Sequence, residues 1–331
     1  IIDDVLLDDQ SGKEMLKITR LSAKFDIIPL FNGKITISSV QLFGFNINLN
    51  KPAPHMEPNF KFVLDAFASK DTVKTKKDID LRINSILIRR GKLSYDVLSE
   101  EETPGKFNPQ HIKLHNIIAN ISLKALQNDS VNAAIKRLSV DEQSGFELRK
   151  LSLKVIANNK GMKIENFAIE MPGTEMKMDT IRMEYDSLKA LNHFADNVRF
   201  SFRTLPSHVT LNDISAFVPA LSNFKEKLDL NIDVEGTLNQ LNCRTLEINA
   251  GDKFRLKGDV SLQDLSRPQD AYVYGHLANL SANKEGIGFL VRNLSPHYNG
   301  VPPVLQHLGN TSFHGEISGY FTDLVMYGLF R

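Results

Sequence analysis

Tryptophan and cysteine are almost absent from this chain of 331 residues. Cys243 is its one cysteine, which excludes an internal disulfide framework and any zinc site built from cysteines. The chain has no tryptophan. A glycan-binding or glycan-processing β protein would need exposed aromatic side chains and paired carboxylates on one face. That class is therefore disfavoured.

An excess of one charge sign and a long apolar run are missing as well. The chain has 40 basic and 39 acidic residues, for a net charge of +1. Nucleic-acid-binding proteins usually present a basic face, so we expect no nucleic acid as partner. A membrane-spanning helix needs about 18 or more consecutive apolar residues, and no such run occurs. The chain starts at Ile1 inside a strand pattern, so we expect a cut from a longer protein.

Motifs that carry chemistry are also lacking. There is no nucleophile elbow, P-loop or dinucleotide fingerprint. His111 and His115 lie four residues apart in a strand pattern, without carboxylates or cysteines at ligand spacing, so we expect surface or rim histidines and no metal site. We expect solvated turns at the acidic residues near the amino terminus, because they lack the pattern of a calcium loop. The sequence predicts a protein that is not an enzyme, with no catalytic residues and no cofactor.

A strand pattern with an unusual skip is present in seven copies. Apolar residues alternate with polar ones, skip one extra position, and then alternate again, as in Ile164, Phe167 and Ile169. Side chains alternate between the two faces of a strand, so a skip would turn the second half of each copy outward. A β-bulge restores the phase and bends the strand. The skipped pairs are Thr19-Arg20, Ser38-Ser39, Asn84-Ser85, His115-Asn116, Arg149-Lys150, Glu165-Asn166 and Asp179-Thr180.

These copies predict a mainly β fold. We expect a long, bent antiparallel sheet, bent at one shared row and folded into an elongated open groove (a β-taco) with a few short amphipathic helices. An ordinary sandwich, in which a second sheet covers the apolar face, remains an alternative at this point. The residues predicted to line the groove are Leu16, Ile18, Leu21, Ile35, Ile37, Val40, Leu42, Leu81, Ile83, Ile86, Ile88, Leu148, Leu151, Leu153, Ile164, Phe167, Ile169, Met178, Ile181 and Met183.

Short helices interrupt the strand pattern. Phe60, Val63, Leu64 and Phe67 follow helical spacing and predict a helix at about 59–69. Further short helices are expected near 213–222, where Pro219 limits the length, and near 284–294 and 301–308. A soft boundary falls near 188–197. We therefore divide the chain into an amino-terminal groove segment, 1–190, and a continuing groove segment, 191–331.

Several segments follow one order of strand, turn, strand and short helix. They are residues 3–7, 10–12, 16–25, 29–35, 37–44, 60–67, 209–221 and 228–236. Together they resemble the amino-terminal and middle regions of the TamB and AsmA-like family of bridge-like lipid transfer proteins. The likeness is greatest to the Bacteroidetes type.

The resemblance implies a periplasmic β-taco held by an inner-membrane anchor that lies outside this sequence. It implies a carboxy-terminal domain that meets an Omp85-family, TamA-like outer-membrane partner. The expected function is a non-enzymatic lipid conduit that holds phospholipid acyl chains and carries them between the inner and outer membranes. The alternative is a periplasmic scaffold or chaperone for the translocation and assembly of outer-membrane proteins.

Overall fold

The computed structural model describes residues 1–26, 36–67, 82–127, 130–267, 269–294, 309–321 and 323–331. These residues form 19 strands of one long, largely antiparallel sheet, together with a few short helices. The prediction of a mainly β chain with a long antiparallel sheet is confirmed. The chain divides into two compact units, which are Ile1–Ala125 with Ala133–Ser152 (unit 1) and Leu126–Asn132 with Leu153–Arg331 (unit 2).

The first eight strands lie in unit 1, except that β6, β7 and β8 also contribute residues to unit 2. Strand β2 pairs antiparallel with β1 and β3, and β5 pairs antiparallel with β6. The strands are β1 (Ile2–Asp8), β2 (Glu14–Asp26), β3 (Thr36–Lys51), β4 (Arg82–Ile83), β5 (Ser85–Val97), β6 (His111–Gln127), β7 (Ser130–Glu142) and β8 (Glu147–Ala157).

One pairing departs from the predicted antiparallel order. Strand β3 runs parallel to β4 and β5, with Val40 opposite Ile86 and Leu49 opposite Tyr95. Parallel neighbours need a long crossover, usually one that contains a helix. Residues 52–81 make this connection and include the helix α1 (Lys61–Phe67).

Unit 2 is a meander whose first strands are split. Strand β9 pairs along its length with β10 and then β11, and β14 pairs with β13 and then β12. From β14 to β19 each strand pairs antiparallel with the next. The strands are β9 (Gly161–Glu170), β10 (Glu175–Met178), β11 (Ile181–Glu184), β12 (Arg199–Arg203), β13 (Ser207–Val209), β14 (Leu228–Thr237), β15 (Gln240–Ala250), β16 (Phe254–Gln263), β17 (Tyr272–Ala282), β18 (Thr311–Tyr320) and β19 (Asp323–Phe330).

The helices are short. Helix α1 lies within the predicted range 59–69, and α3 (Lys284–Leu294) covers the range predicted near 284–294. Near 213–222 the chain forms two 3₁₀ helices, Leu211–Ile214 and Pro219–Leu221, because proline fixes its own φ and lacks the N–H that an α-helix would need. The range 301–308 lies outside the described residues.

The soft boundary expected at 188–197 contains the 3₁₀ helix Leu188–His193 and α2 (Phe194–Asn197), whereas the chain passes from one unit to the other within β6, β7 and β8. Among the described helices none has the length and apolar character required to cross a membrane.

A row of irregular backbone crosses unit 1 from strand to strand. In register, Asp3 lies opposite Arg20, Arg20 opposite Phe43, and Phe43 beside Arg89. We call this set the skip row, and it contains Asp3-Asp4, Thr19-Arg20, Phe43-Gly44, Arg89-Arg90 and His115-Asn116. Four of its members have positive φ: Asp4 (52°), Gly44 (64°), Arg90 (57°) and Asn116 (54°). Two of the predicted pairs, Thr19-Arg20 and His115-Asn116, lie in this row.

Two further predicted pairs of unit 1, Ser38-Ser39 and Asn84-Ser85, lie in a second row, and the fifth pair, Arg149-Lys150, lies within β8. The register of β2 and β3 shifts between Lys24 and Phe25, opposite Ser38, whose hydroxyl donates to the Lys24 carbonyl at 3.0 Å. Beside it, Asn84 separates β4 from β5 and donates its backbone N–H to Ile37 at 2.9 Å. Unit 1 therefore has two rows of irregular backbone, where the sequence predicted one.

A comparable row crosses unit 2. Asn166, with φ of 55°, lies opposite the break between β10 and β11 at Asp179-Thr180. The row continues as register shifts in the meander, between Asp233 and Val234, Cys243 and Leu246, Lys257 and Gly258, and Leu277 and Leu280.

Apolar side chains meet on one face from both sides of the skip row. Ile18, Phe45 and Ile117 form a buried cluster. Ile18 directly precedes the skip-row pair of its strand, whereas Phe45 and Ile117 directly follow theirs. The residues packed against this cluster come from both halves of these strands: Val5, Leu16, Leu21, Leu42, Ile47, Ile88, Leu93, Leu114 and Val140. The skip therefore keeps both halves of each strand in phase, which is the role predicted for it.

Gly91 provides the space for the central ring of this cluster. A Cβ atom on Gly91 would overlap the Phe45 ring and would lie 3.0 Å from the Cβ of Ile117. We predict that Gly91→Ala lowers the free energy of unfolding by about 1–3 kcal/mol, the usual cost of overpacking. Chemical denaturation measures this loss.

Gly309→Ala is the matched control, because none of the described residues has an atom within 4 Å of a Cβ at that position. Phe45→Leu in the Gly91→Ala background should restore part of the lost stability, since it removes the ring that the new methyl group overlaps. Equal stability of Gly91→Ala and the unchanged chain would contradict this account of the packing.

Candidate functional site

The candidate site is the apolar face of the sheet, and the structure describes side chains for 17 of its 20 predicted members. Ile35 and Leu81 lie outside the described residues, and the side chain of Ile83 is not among those described. Ile18, Leu148 and Ile181 are buried, and the other fourteen are half-buried. Most of the described side chains on this face therefore keep part of their surface exposed to solvent.

In unit 1 the register brings the predicted residues together. Leu16, Leu21, Leu42 and Ile88 all pack against the buried cluster around Ile18. Farther along the same strands, Val40 lies opposite Ala23 and beside Ile86, and Ile37 lies opposite Phe25.

In unit 2 the predicted residues of β9, β10 and β11 lie side by side. Phe167 is opposite Met178, Ile164 is opposite Ile181, and Met183 continues the same face. Ile169 is opposite Met176, which was not among the residues predicted to line the groove. The apolar face therefore continues across the break at Asp179-Thr180.

One end of the apolar face in unit 2 is covered by helix α3, which the prediction of the lining did not anticipate. Ile287 and Phe289 of α3 are buried against strand ends that carry Leu228, Phe254 and Ala282. The ring of Phe289 meets the edge of the Phe224 ring at 5.7 Å between centroids. Helical spacing in 284–294 indicated the helix, but no local pattern indicated which strand ends it would cover.

The start of α3 is fixed to the sheet. The Asn283 side chain accepts a hydrogen bond from the Gly286 N–H at 2.9 Å, which satisfies one free donor of the first helical turn. A Cβ on Gly286 would overlap the Lys253 carbonyl oxygen, so glycine permits this close approach. The covering of this strand end is thus part of the folded structure.

The opposite face carries ion pairs that join a basic side chain of one strand to an acidic side chain of another. Arg20 meets Asp3 at 2.6 Å, Arg203 meets Asp233 at 2.8 Å, and Lys154 meets Glu165 at 2.8 Å. Hydrogen bonds from Lys154 and then Lys163 lower the pKa of Glu165 to about 2. Exposed pairs contribute little to stability, about 0–1 kcal/mol each, so their main effect is to keep this face in water.

Asp9 is not the solvated residue that the sequence suggested. It is buried in the turn between β1 and β2, where its Oδ1 accepts hydrogen bonds from the Ser11 hydroxyl and from the backbone N–H groups of Ser11 and Lys13. These bonds, led by the one from the Ser11 hydroxyl, lower the pKa of Asp9 to about 2. Its role is to hold the turn.

A cluster of metal-ligand type was also missed. Asp96, Glu102 and His111 bring their potential ligand atoms within 4.8 Å of one another. His111 is buried, not at the surface as expected. Its Nδ1 lies 2.9 Å from the Asp96 carboxylate, and its Nε2 lies 3.0 Å from the Glu100 carbonyl oxygen.

Both ring nitrogens of His111 therefore face acceptors, so the imidazole needs both protons. The hydrogen bond to Asp96 is the main reason that the pKa of His111 is raised. Glu102 is also engaged, by Lys113 at 2.8 Å. This arrangement is a protonated clamp that ties the connection 98–110 to β5 and β6.

We predict that the contribution of His111 to stability depends on pH. Because the folded pKa is raised, the clamp contributes fully below the ordinary histidine pKa of about 6.5 and is lost as pH rises through the raised value. His111→Gln should therefore lower the denaturation midpoint more at about pH 5 than at about pH 9.

His115→Gln is the control for this comparison, because the side chain of His115 is 49% exposed and its Nε2 lies 3.8 Å from Asp141. An equal loss for His111→Gln at both pH values, or a larger loss at the higher one, would contradict the protonated clamp.

Comparisons with known proteins identify no relative of this chain. No protein-family model, no curated protein and no solved structure matches the chain. The resemblance to TamB and AsmA-like proteins thus has its basis in the sequence pattern, and the activity that it implies is a matter for proposal.

Proposed function

We propose that this chain is a segment of a non-enzymatic lipid conduit that carries phospholipid between the inner and outer membranes in outer-membrane biogenesis. The single observation that carries the proposal is that, in each unit, the strands share an apolar face that is half-buried at most predicted positions and opposite a charged face. Such a face can hold acyl chains while the polar side stays in water.

The energetics favour a continuous path. Moving one CH₂ group from hydrocarbon into water costs about 0.8 kcal/mol, so a tail of about 16 carbons faces roughly 12 kcal/mol if it crosses water alone. A sheet face lined by Leu, Ile, Val, Met and Phe removes most of that cost. No residue needs to perform chemistry, and the headgroup can remain solvated.

The cellular setting belongs to the same proposal. A conduit of this kind would lie in the periplasm, anchored in the inner membrane, and would meet an Omp85-family, TamA-like protein through regions outside this sequence. The resemblance to TamB and AsmA-like proteins is what supports this setting. The open groove that the resemblance implies is likewise part of the proposal.

A second candidate function is a scaffold or chaperone for outer-membrane protein assembly. The observation that favours it is strand β19, in which every residue is exposed, including Val325, Tyr327 and Phe330. An exposed apolar strand can pair with another β-strand through its backbone. An unfolded outer-membrane protein would supply such strands.

Phe167→Glu tests the conduit. Phe167 is half-buried on the apolar face, and a carboxylate there would have to lose its hydration against an acyl chain, at a cost of several kcal/mol. We expect the transfer of fluorescent phospholipid between donor and acceptor vesicles to fall about tenfold or more, since each 1.4 kcal/mol is a factor of ten. Native mass spectrometry should show less bound phospholipid.

Ile156→Glu is the matched control, because Ile156 is an exposed isoleucine of the preceding strand, 38% accessible. It should transfer lipid at the unchanged rate, and both variants should keep the same thermal midpoint. Equal transfer by both variants would eliminate the lining assignment. If the chain binds no lipid but prevents aggregation of an unfolded outer-membrane protein, the scaffold function is supported instead.

A further inference from the structure

We propose that residues 188–197 form a lip in unit 2 that contacts a zwitterionic membrane surface and passes an acyl chain onto the apolar face. This inference deepens the proposed conduit and rests on it. The lip consists of the 3₁₀ helix Leu188–His193 and helix α2 (Phe194–Asn197). Its occupant is the acyl chain of a phospholipid.

The lip presents three apolar side chains to solvent at a spacing of three residues. Leu188 is 54% exposed, Leu191 is 36% exposed and Phe194 is 37% exposed. Single exposed apolar residues are ordinary, but a run of three on one short segment is a candidate contact surface.

The lip is fixed at both ends, so this exposure belongs to the fold. Before it, Tyr185 is buried and its hydroxyl donates to the Asn158 carbonyl at 2.9 Å. After it, Val198 is fully buried and donates its backbone N–H to Phe194 at 3.2 Å. Between them, the side chain of Asn239 donates to Asp196 at 2.7 Å.

An aromatic ladder joins the lip to the apolar face. The Phe194 ring stacks on Phe200 at 6.0 Å between centroids, and Phe200 stacks on Phe202 at 6.3 Å. Phe202 lies opposite Val234, and Phe200 lies opposite Met183, both on the apolar face. An acyl chain that meets Phe194 therefore has unbroken apolar contact as far as the predicted lining residue Met183.

The charges beside the lip select the headgroup. A cleft of about 680 Å³ is lined by two basic residues, Lys160 and Arg199, and three acidic residues, Glu184, Asp186 and Asp196. Arg199 is already paired with Glu235 at 2.5 Å. A cleft with this balance does not attract an anionic headgroup, whereas a zwitterionic headgroup offers a cation to its carboxylates.

The absence of tryptophan makes a direct test possible. Leu191→Trp gives the full chain a single tryptophan on the lip, and Leu98→Trp gives a control at a residue that is 62% exposed in unit 1. With vesicles of phosphatidylcholine, we expect the emission of the Leu191→Trp chain to shift to shorter wavelength and to be quenched by brominated acyl chains. The control should show neither change.

Two further variants and a second vesicle composition complete the test. Leu188→Trp should behave as Leu191→Trp does, and vesicles that include phosphatidylglycerol should not strengthen the response. No shift for either lip reporter, an equal shift for the control, or a response that needs the anionic lipid would each overturn the lip. Phe194→Asp should abolish the response of the Leu191→Trp chain, and its persistence would remove the ladder from the path.

Failure of the lip and failure of the conduit can be told apart. If Phe167→Glu blocks lipid transfer but the lip reporters do not respond to vesicles, the conduit stands and the lip does not. If the lip reporters respond but Phe167→Glu transfers lipid normally, the membrane contact stands and the conduit assignment does not.

Discussion

Many strands of this sheet have to keep one apolar face although their alternation of apolar and polar residues loses its phase partway along, and the rest of the structure depends on how the backbone resolves this. A single residue in the left-handed region turns the chain so that the following side chains return to the same face. Gly44 and Asn116 adopt that region at low cost, because glycine and asparagine tolerate positive φ. The ordering of these residues in one row lets neighbouring strands keep their pairing.

Arg90 is the member of the row for which positive φ is least expected, at 57°. Its guanidinium group lies 5.6 Å from the centre of the Phe43 ring, and Phe43 lies in the same row on the neighbouring strand. The cation–π contact and the polar surroundings keep this side chain on the outer face, while Gly91, the next residue, leaves room for Phe45 on the inner face. The neighbouring residues Arg90 and Gly91 thus fit the outer and the inner face of the sheet, respectively.

The sequence predicted the parts of this structure that are local in origin. The skipped pairs at His115-Asn116 and Glu165-Asn166 were visible because apolar residues flank them at short range, and both coincide with positive φ. The members of the skip row at Gly44 and Arg90 were missed because Phe43 and the basic pair at Arg89 disguise the skip. The parallel pairing of β3 with β5 and the covering of Phe254 by α3 depend on long-range contacts, which no local pattern specifies.

The position of α3 makes the two ends of the strands in unit 2 different from each other. This helix covers the ends of the strands that carry Leu228, Phe254 and Ala282, whereas the aromatic ladder from Phe194 lies at the other end, where Phe200 is opposite Gly236. In the proposed conduit, a long amphipathic guest lying along these strands would have its apolar terminus stopped at one end and its polar group directed to the other. All such guests would then point the same way, as molecules do within one leaflet of a bilayer.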